Sequence, residues 1–290
     1  MDLLSVGFLL IGIALIAILP VPVLYGLSDF VRFILQRVAG YRIKVVRKNL
    51  EGAFPEKPPE EIDRIISLFY RNLADILLEG IWAFTMTRKR FFRRHRIINM
   101  EVLDPFIRKG KSMIAVPAHY ANWEWGSVSA NSVPGYNIVA FYKRINNKYV
   151  DKLVRNSRSK FGTTLVDINE TSLTFEKFRD KPTIYIMAMD QGMPPKFYDK
   201  AHWTKFLNRD TPFLKGMEKH ARTHNLPVVY VDVQRVRRGF YELELTVLTS
   251  DPNGLQNGEP TELYARKLES VILRKPEDWL WSHNRWRMKL

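Results

Sequence analysis

The sequence predicts an α/β fold: a single domain with a mixed, largely parallel sheet flanked by helices, preceded by one N-terminal transmembrane helix. Three observations lead there. Short apolar and β-branched runs alternate with helically spaced patterns from Ser112 onward, as expected of strands covered by helices on both faces. No charged residue occurs between Leu3 and Ser28. Apolar side chains make up 46% of 290 residues, enough for a packed core and too many for a disordered basic tail.

Along the chain, Leu3 to Leu19 is an almost unbroken Leu/Ile/Val/Ala/Phe segment before Pro20 and Pro22. At the helical rise it spans roughly 26 Å, and continuing to Leu27 exceeds the roughly 30 Å of a bilayer's hydrocarbon. A cleaved signal peptide competes with this reading, but Met1-Asp2 supplies no basic n-region and no small-x-small cleavage site follows. Arg32, Arg37, Arg42, Lys44, Arg47 and Lys48 then stand against Asp29 alone before Glu51. The positive-inside rule puts such a flank in the cytoplasm, so the expected organisation is an anchor over 1–27 and a cytoplasm-facing domain over 28–290. Residues 29–48 read equally well as a basic amphipathic helix of that domain.

Pro58-Pro59 opens a long helix over 60–84, with Ile62, Ile65, Ile66, Phe69, Leu73, Ile76 and Leu77 at helical spacing. Strands are expected over 112–118, 136–142, 183–189, 228–236 and 241–248. Helices are expected over 122–131, 148–160, 171–179 and 214–224. Residues 251–260, with Gly254 and Gly258, form the most loop-like stretch, and a last helical unit follows from Thr261. Trp279, Trp281 and Trp286 fall in a terminal helical pattern and read either as core or as interfacial anchors.

Composition narrows the chemistry. Lys and Arg number 45 against 30 Asp and Glu, a net charge of +15 that calls for an anionic partner. The chain has no cysteine, which removes disulfides, a thiolate nucleophile and cysteine-based metal sites. Gly110-Lys111-Ser112 ends like a phosphate-binding P-loop, but Pro105 stands where that motif needs glycine. Nucleophile-elbow, dinucleotide and H-E-x-x-H motifs are missing from the sequence as well. No metal site and no cofactor are expected.

His119 and Glu124 form H-x-x-x-x-E, and their placement says more than their spacing. A buried-strand run ends at Ala118, so His119 sits at a strand-to-helix turn and Glu124 on the first turns that follow. Ligands bind at the carboxyl ends of strands in open α/β sheets. A helix start disfavours imidazolium, and a carboxylate partner fixes the tautomer, so the pair fits a general base and its orienter. A capping or core-satisfying histidine is the plain alternative. Asp190-Gln191-Gly192 closes another apolar run and would share that edge, although a turn also favours these residues. Arg158 reads as a site base or as a solvated helix charge.

This motif after an apolar strand resembles the lysophospholipid acyltransferase superfamily, and the whole chain resembles its bacterial lipid A biosynthesis (late) acyltransferase branch. The segments that carry the likeness are Asn72-Leu73-Ala74-Asp75 to Leu78-Glu79, His119 to Gly126, Phe141 to Arg144, Arg158 with Phe161-Gly162, Met189 to Gly192, Phe206 to Gly216, and Pro276 to Trp286, besides the N-terminal run. The resemblance implies direct transfer of an acyl chain from acyl carrier protein to a hydroxyl of a lipid A precursor or another membrane lipid. His119 would take the proton and Glu124 would hold it in register. Asn122, Lys143, Arg144, Arg158, Asp190 and Gln191 are the candidates for binding substrate. It further implies a single-pass protein of a bacterial inner membrane that acts on a phosphorylated glycolipid. One departure is that Gly192-Met193-Pro194-Pro195 follows Asp190-Gln191, where many members carry a second acid.

Arg88-Lys89-Arg90-Phe91-Phe92-Arg93-Arg94 concentrates bases around two phenylalanines. After a membrane anchor this segment would lie on an anionic membrane surface with the phenylalanines in the interface, and no nucleic-acid partner is expected. A solvated charged turn is the alternative.

Overall fold

The computed structural model describes residues 3–286, with side-chain surroundings from residue 11 onward. The helices are α1 (Leu3–Ile18), α2 (Val21–Phe33), α3 (Ile43–Ala53), α4 (Pro59–Trp82), α5 (Arg88–Arg94), α6 (Asp104–Ile107), α7 (Gly126–Ser129), α8 (Lys148–Arg158), α9 (Thr171–Lys177), α10 (Gly216–Thr223) and α11 (Glu259–Arg274). The strands are β1 (His95–Ile97), β2 (Met113–Pro117), β3 (Asn137–Tyr142), β4 (Thr164–Asp167), β5 (Thr183–Ile186), β6 (His202–Phe206), β7 (Arg209–Phe213), β8 (Val228–Arg237) and β9 (Phe240–Thr249).

One seven-stranded sheet runs in the order β1-β9-β8-β2-β5-β3-β4, and β6 pairs with β7 as a separate antiparallel hairpin. Neighbours in the large sheet are parallel except β8 and β9. The carboxyl ends of β2, β3, β4, β5 and β8 therefore meet at one edge. Strand alternation explains how both faces are covered. Ile114 and Val116 of β2 point into a large core with Leu73, Tyr230, Tyr264 and Leu268, whereas Met113 and Ala115 point into a smaller one with Leu103, Phe106, Ile184 and Leu245.

The expected transmembrane helix is not what forms. Pro20, extended at φ −58° and ψ 145°, separates α1 from α2, so the apolar run becomes two helices instead of one. The sixteen residues of α1 rise only about 24 Å. No helix among the described residues is long and apolar enough to cross a membrane. Instead α2 packs on α4, burying Leu24, Tyr25 and Ser28, and the expected boundary at residue 27 falls inside α2. Met1 and Asp2, which bore on the signal-peptide reading, lie outside the described residues.

Residues 29–48 do not form one helix either. A short π-helical segment, Ile34–Val38, ends at Gly40 with φ +56°, and α3 starts after Arg42. In contrast α4 follows expectation, with Pro59 at its first turn and Glu60 and Glu61 facing the positive end of its dipole. The terminal tryptophans sit in an irregular segment after a 3₁₀ turn at Pro276–Asp278, and Trp279 and Trp281 are buried in the core.

Candidate active site

Because β2 and β5 are parallel neighbours, with Ala115 opposite Ile186, the loops that follow them leave the sheet side by side. This brings His119 and Asp190 together. The His119 backbone N–H donates to Asp190 Oδ2 (2.8 Å), and Nδ1 donates to Oδ1 (2.7 Å). Trp279 Nε1 donates to Oδ2 (2.9 Å). Asp190 is only 2% exposed, yet its carboxyl is held down at about 2: burial opposes ionisation, and the His119 charge, the hydrogen bonds from His119 and that from Trp279 outweigh it. His119 moves the other way. Burial disfavours the imidazolium, but the Asp190 charge and hydrogen bond prevail and raise the pKa above the ordinary histidine value. With Nδ1 engaged, Nε2 is the free basic nitrogen, and the Gln191 amide donates to it (3.1 Å).

Glu124 has a different partner from the one expected. Ala121, at φ +47°, turns the chain, and the Asn122 side chain caps the 3₁₀ turn Trp123–Trp125 by accepting from the Trp125 N–H. Glu124 then forms a forked pair with Arg158 at the end of α8, Nε to Oε2 at 3.0 Å and Nη2 to Oε1 at 2.7 Å. Trp123 Nε1 also donates to it (3.1 Å). Asp190, not Glu124, makes the contact that orients His119. The Glu124 charge still favours the imidazolium from a distance.

A cleft of about 110 Å³ opens beside His119, walled by Trp123, Phe141, Tyr142, Arg158 and Leu165. Its floor residues Pro117, Gly126 and Ile186 also line a narrow apolar cavity of about 40 Å³, which continues between Met113, Ala115, Val133, Ile184, Val229 and Leu245. Polar chemistry and a hydrocarbon-like slot thus share a wall.

The remaining expected site residues divide. Asn122 is fully buried, and its amide donates to Glu79 (2.7 Å), so it supports the turn from below and does not face the cleft. Lys143 is exposed just beyond β3, and Arg144 pairs with Asp167 (3.1 Å) and Glu170 (3.2 Å). The basic segment also differs from expectation. Phe91 is 1% exposed and Phe92 packs on the core, so they are not a pair dipping into an interface. Arg94 is buried too, between the Trp82 and Phe240 rings, and Arg90 lies over Trp82. Arg88, Lys89 and Arg93 are exposed.

Sequence reading missed the buried polar layer under the site. Glu79 accepts from Tyr25 (2.8 Å), Asn122 (2.7 Å) and Tyr241 (2.7 Å), and burial raises its pKa. His95, also buried, contacts Ser129 Oγ (2.5 Å) and the Asn122 carbonyl (3.2 Å); burial lowers its pKa to about 3, so it stays neutral. Lys160 Nζ donates to the carbonyls of Ala83, Phe84 and Met86, closing the end of α4. A signal for Glu79 was present, because Asn72 and Glu79 continue the apolar stripe Ile62, Ile65, Phe69 of α4. Glu79→Ala would strand three buried donors and is expected to destabilise the protein by about 3 kcal/mol in a denaturant titration. A loss under about 0.5 kcal/mol would contradict that role.

The segment around Trp279 closes the site from above. Tyr120 bridges to Trp279, the Ala121 N–H donates to the Asp278 carbonyl (2.8 Å), and the Leu280 N–H to that of His119 (3.1 Å). Gly192 N–H donates to His283 Nε2 (2.9 Å).

Comparison with known proteins finds similarity over nearly the whole chain. Residues 3–288 match the family described as "Bacterial lipid A biosynthesis acyltransferase". The chain is 23% identical over 279 residues to the lipid A biosynthesis lauroyltransferase of Escherichia coli, covering 95% of this chain and 89% of that one. It is 24% identical over 288 residues to the lipid A biosynthesis palmitoleoyltransferase of the same organism, covering 93% and 87%. A lipid A biosynthesis acyltransferase of Shigella flexneri is similar to the same extent.

Proposed function

The chain belongs to the bacterial lipid A biosynthesis acyltransferase family and is an acyltransferase; from that premise we propose that it moves a fatty acyl chain from acyl carrier protein to a hydroxyl of a lipid A precursor. The observation that carries the mechanism is the His119–Asp190 contact, which leaves Nε2 free at the cleft. An acceptor hydroxyl takes the place of the Gln191 amide at Nε2. As its oxygen attacks the thioester carbonyl, His119 accepts its proton and Asp190 stabilises the imidazolium formed. The carbonyl oxygen gains negative charge, which Arg158, held at the cleft by Glu124, is placed to offset. Collapse of the tetrahedral intermediate expels the carrier's thiolate, which takes the proton from His119. No acyl-enzyme forms, in keeping with a chain that has no cysteine.

The apolar cavity behind Pro117 and Gly126 gives the direction in which the acyl chain would run, with its thioester left at the polar wall; at about 40 Å³ it has to widen to take the whole chain. The excess of basic residues fits both an acidic carrier and a phosphorylated acceptor.

Mass spectrometry of lipid A from a deletion strain tests this reading. Loss of one acyl chain, restored by the wild-type gene, is the expected result. Unchanged lipid A with a different membrane lipid under-acylated would move the activity to that acceptor.

A further inference from the structure

We propose that Arg285 is the buried counter-charge of Asp190, a positioning residue that keeps His119 in its neutral, proton-accepting form. The Asp190 carboxylate is buried, and everything that donates to it is uncharged while the ring is neutral: the His119 backbone N–H, Nδ1–H and the Trp279 indole. A buried negative charge held only by neutral donors calls for a positive charge in the same low-dielectric space.

Arg285 meets that description. It is 4% exposed, and no carboxylate pairs with it among the described residues. Nη2 donates to the Pro212 carbonyl (2.6 Å), whereas Nε and Nη1 are buried without a hydrogen-bond partner. An arginine that has given up its water for so few hydrogen bonds is costly to keep for packing alone.

Its place in the chain ties it to the dyad. Trp279, His283 and Arg285 belong to one segment that grips the loop after β5. Trp279 donates to Asp190, His283 accepts the Gly192 N–H, and a Cβ on Gly192 would lie 3.0 Å from the Arg285 carbonyl oxygen. An aromatic wall joins the two charges. Between ring centroids Trp279 is 6.0 Å from Phe206 and Phe206 is 5.2 Å from Phe213, and the Arg285 guanidinium stands 4.7 Å over Phe213. Across such a wall a charge is felt more strongly than through water. Burial pulls the Arg285 pKa down to about 10, with the Asp190 charge opposing, so Arg285 is still a cation where His119 titrates.

The other groups around these residues leave that balance in place. Tyr198, of the 3₁₀ turn Pro195–Lys200, and Tyr264 of α11 act on Arg285, and Tyr230 of β8 acts on Asp190. Burial lifts Tyr230 and Tyr264 well above the ordinary tyrosine value, so both stay uncharged. On β7, Arg209 lies over the Trp286 ring and Asp210 is exposed. At His119, Glu124 favours the imidazolium and Arg158 opposes it, and those two are paired with each other. Asp190 therefore raises the proton affinity of the ring, and Arg285 takes part of that rise back.

NMR titration of isotope-labelled histidine in the full chain tests this, with His119→Gln assigning the signal among the six histidines. Arg285→Met and Arg285→Gln are expected to raise the His119 pKa by about 0.5 or more. Arg285→Lys, which keeps the charge, should stay within about 0.2 of wild type. The glutamine variant retains an amide that can donate to the Pro212 carbonyl, so it reads the same loss of charge should the methionine variant misfold. An unmoved His119 titration in the neutral variants overturns the proposal. So does an equal displacement in Arg285→Lys, which would assign the effect to packing. The acid limb of kcat/KM should rise with the ring, and only this step rests on His119 being the base proposed above. A ring that titrates higher beside an unmoved limb would leave Arg285 as the counter-charge and remove His119 from the proton transfer.

Discussion

Replacing His119 with alanine is expected to slow acyl transfer by about 10²–10⁴-fold, the range a positioned general base supplies. The argument rests on the direction of the ring. Nδ1 is held by Asp190 at 2.7 Å, so the nitrogen that faces the acceptor is Nε2, and no other histidine lines the cleft. The ring also packs near Trp123, 5.7 Å between centroids, so alanine leaves a gap on an open cleft, not in the core. Stability should fall as well, because buried Asp190 loses the Nδ1 contact and keeps only the donors at Oδ2, the residue 119 backbone N–H and Trp279 Nε1. Transfer of a labelled acyl group in membranes that hold the variant at wild-type level measures the effect, and a wild-type rate would remove His119 from the proton transfer.

The second large effect is expected from Asp190→Asn. An amide in that place can present its NH₂ to Nδ1, which favours the wrong tautomer and takes away the charge that stabilises the imidazolium; a loss of about 10²–10⁴-fold follows. The pH profile separates this from a general loss of structure. In the wild type only neutral His119 can act as base, and its pKa is raised above 6.5, so the acid limb of kcat/KM lies above that value. In the variant burial remains and the Asp190 charge is gone, so the limb moves to lower pH. An unshifted limb would contradict the dyad.

Stability should respond with the matching signs. The folded Asp190 is depressed to about 2, so its contribution is complete above the ordinary aspartate value of 3.8 and is lost as pH falls toward about 2. The folded His119 is raised, so its contribution is complete below 6.5 and is lost as pH rises through the folded value. Asp190→Asn should flatten both dependences.

Much of the domain was legible because β2, β3 and β5 are buried on both faces and apolar nearly throughout, while β8 and β9 are rich in β-branched and aromatic residues. β2, β3, β5, β8 and β9 all fall in runs that announce themselves, and α4 declares its start with paired prolines. β1 does not. His95–Ile97 follows a basic run and exists as a strand because Tyr241–Leu243 offers it a parallel partner far along the chain. The N-terminal reading failed because an apolar count runs through Pro20, while a helix cannot.

At the site, spacing placed His119 and Glu124 on adjacent turns; His119 lines the cleft, whereas Glu124 reaches it through its pairing with Arg158. It could not show that Ala121 swings the turn so that Glu124 meets Arg158. Asp190 was visible as an acid closing an apolar run. Its role depends on β5 lying beside β2, which is a matter of strand order. The layer beneath was hardest to see, because Glu79 gains its meaning from Tyr25, Asn122 and Tyr241, brought from three distant parts of the chain.

Trp279 has a consequence for how the enzyme comes into being. It lies 89 residues beyond the carboxylate to which it donates, and Asp278 is bonded to Asn72, 206 positions earlier. A ribosome adding about 5–20 residues per second delivers His119 and Asp190 several seconds before the indole that steadies them. The sheet can assemble in that interval while the base waits for its last support. A nascent or prematurely terminated product that ends before Pro276 would carry the dyad and still lack a finished site, so competence for transfer is acquired late in synthesis, after the scaffold has had time to order.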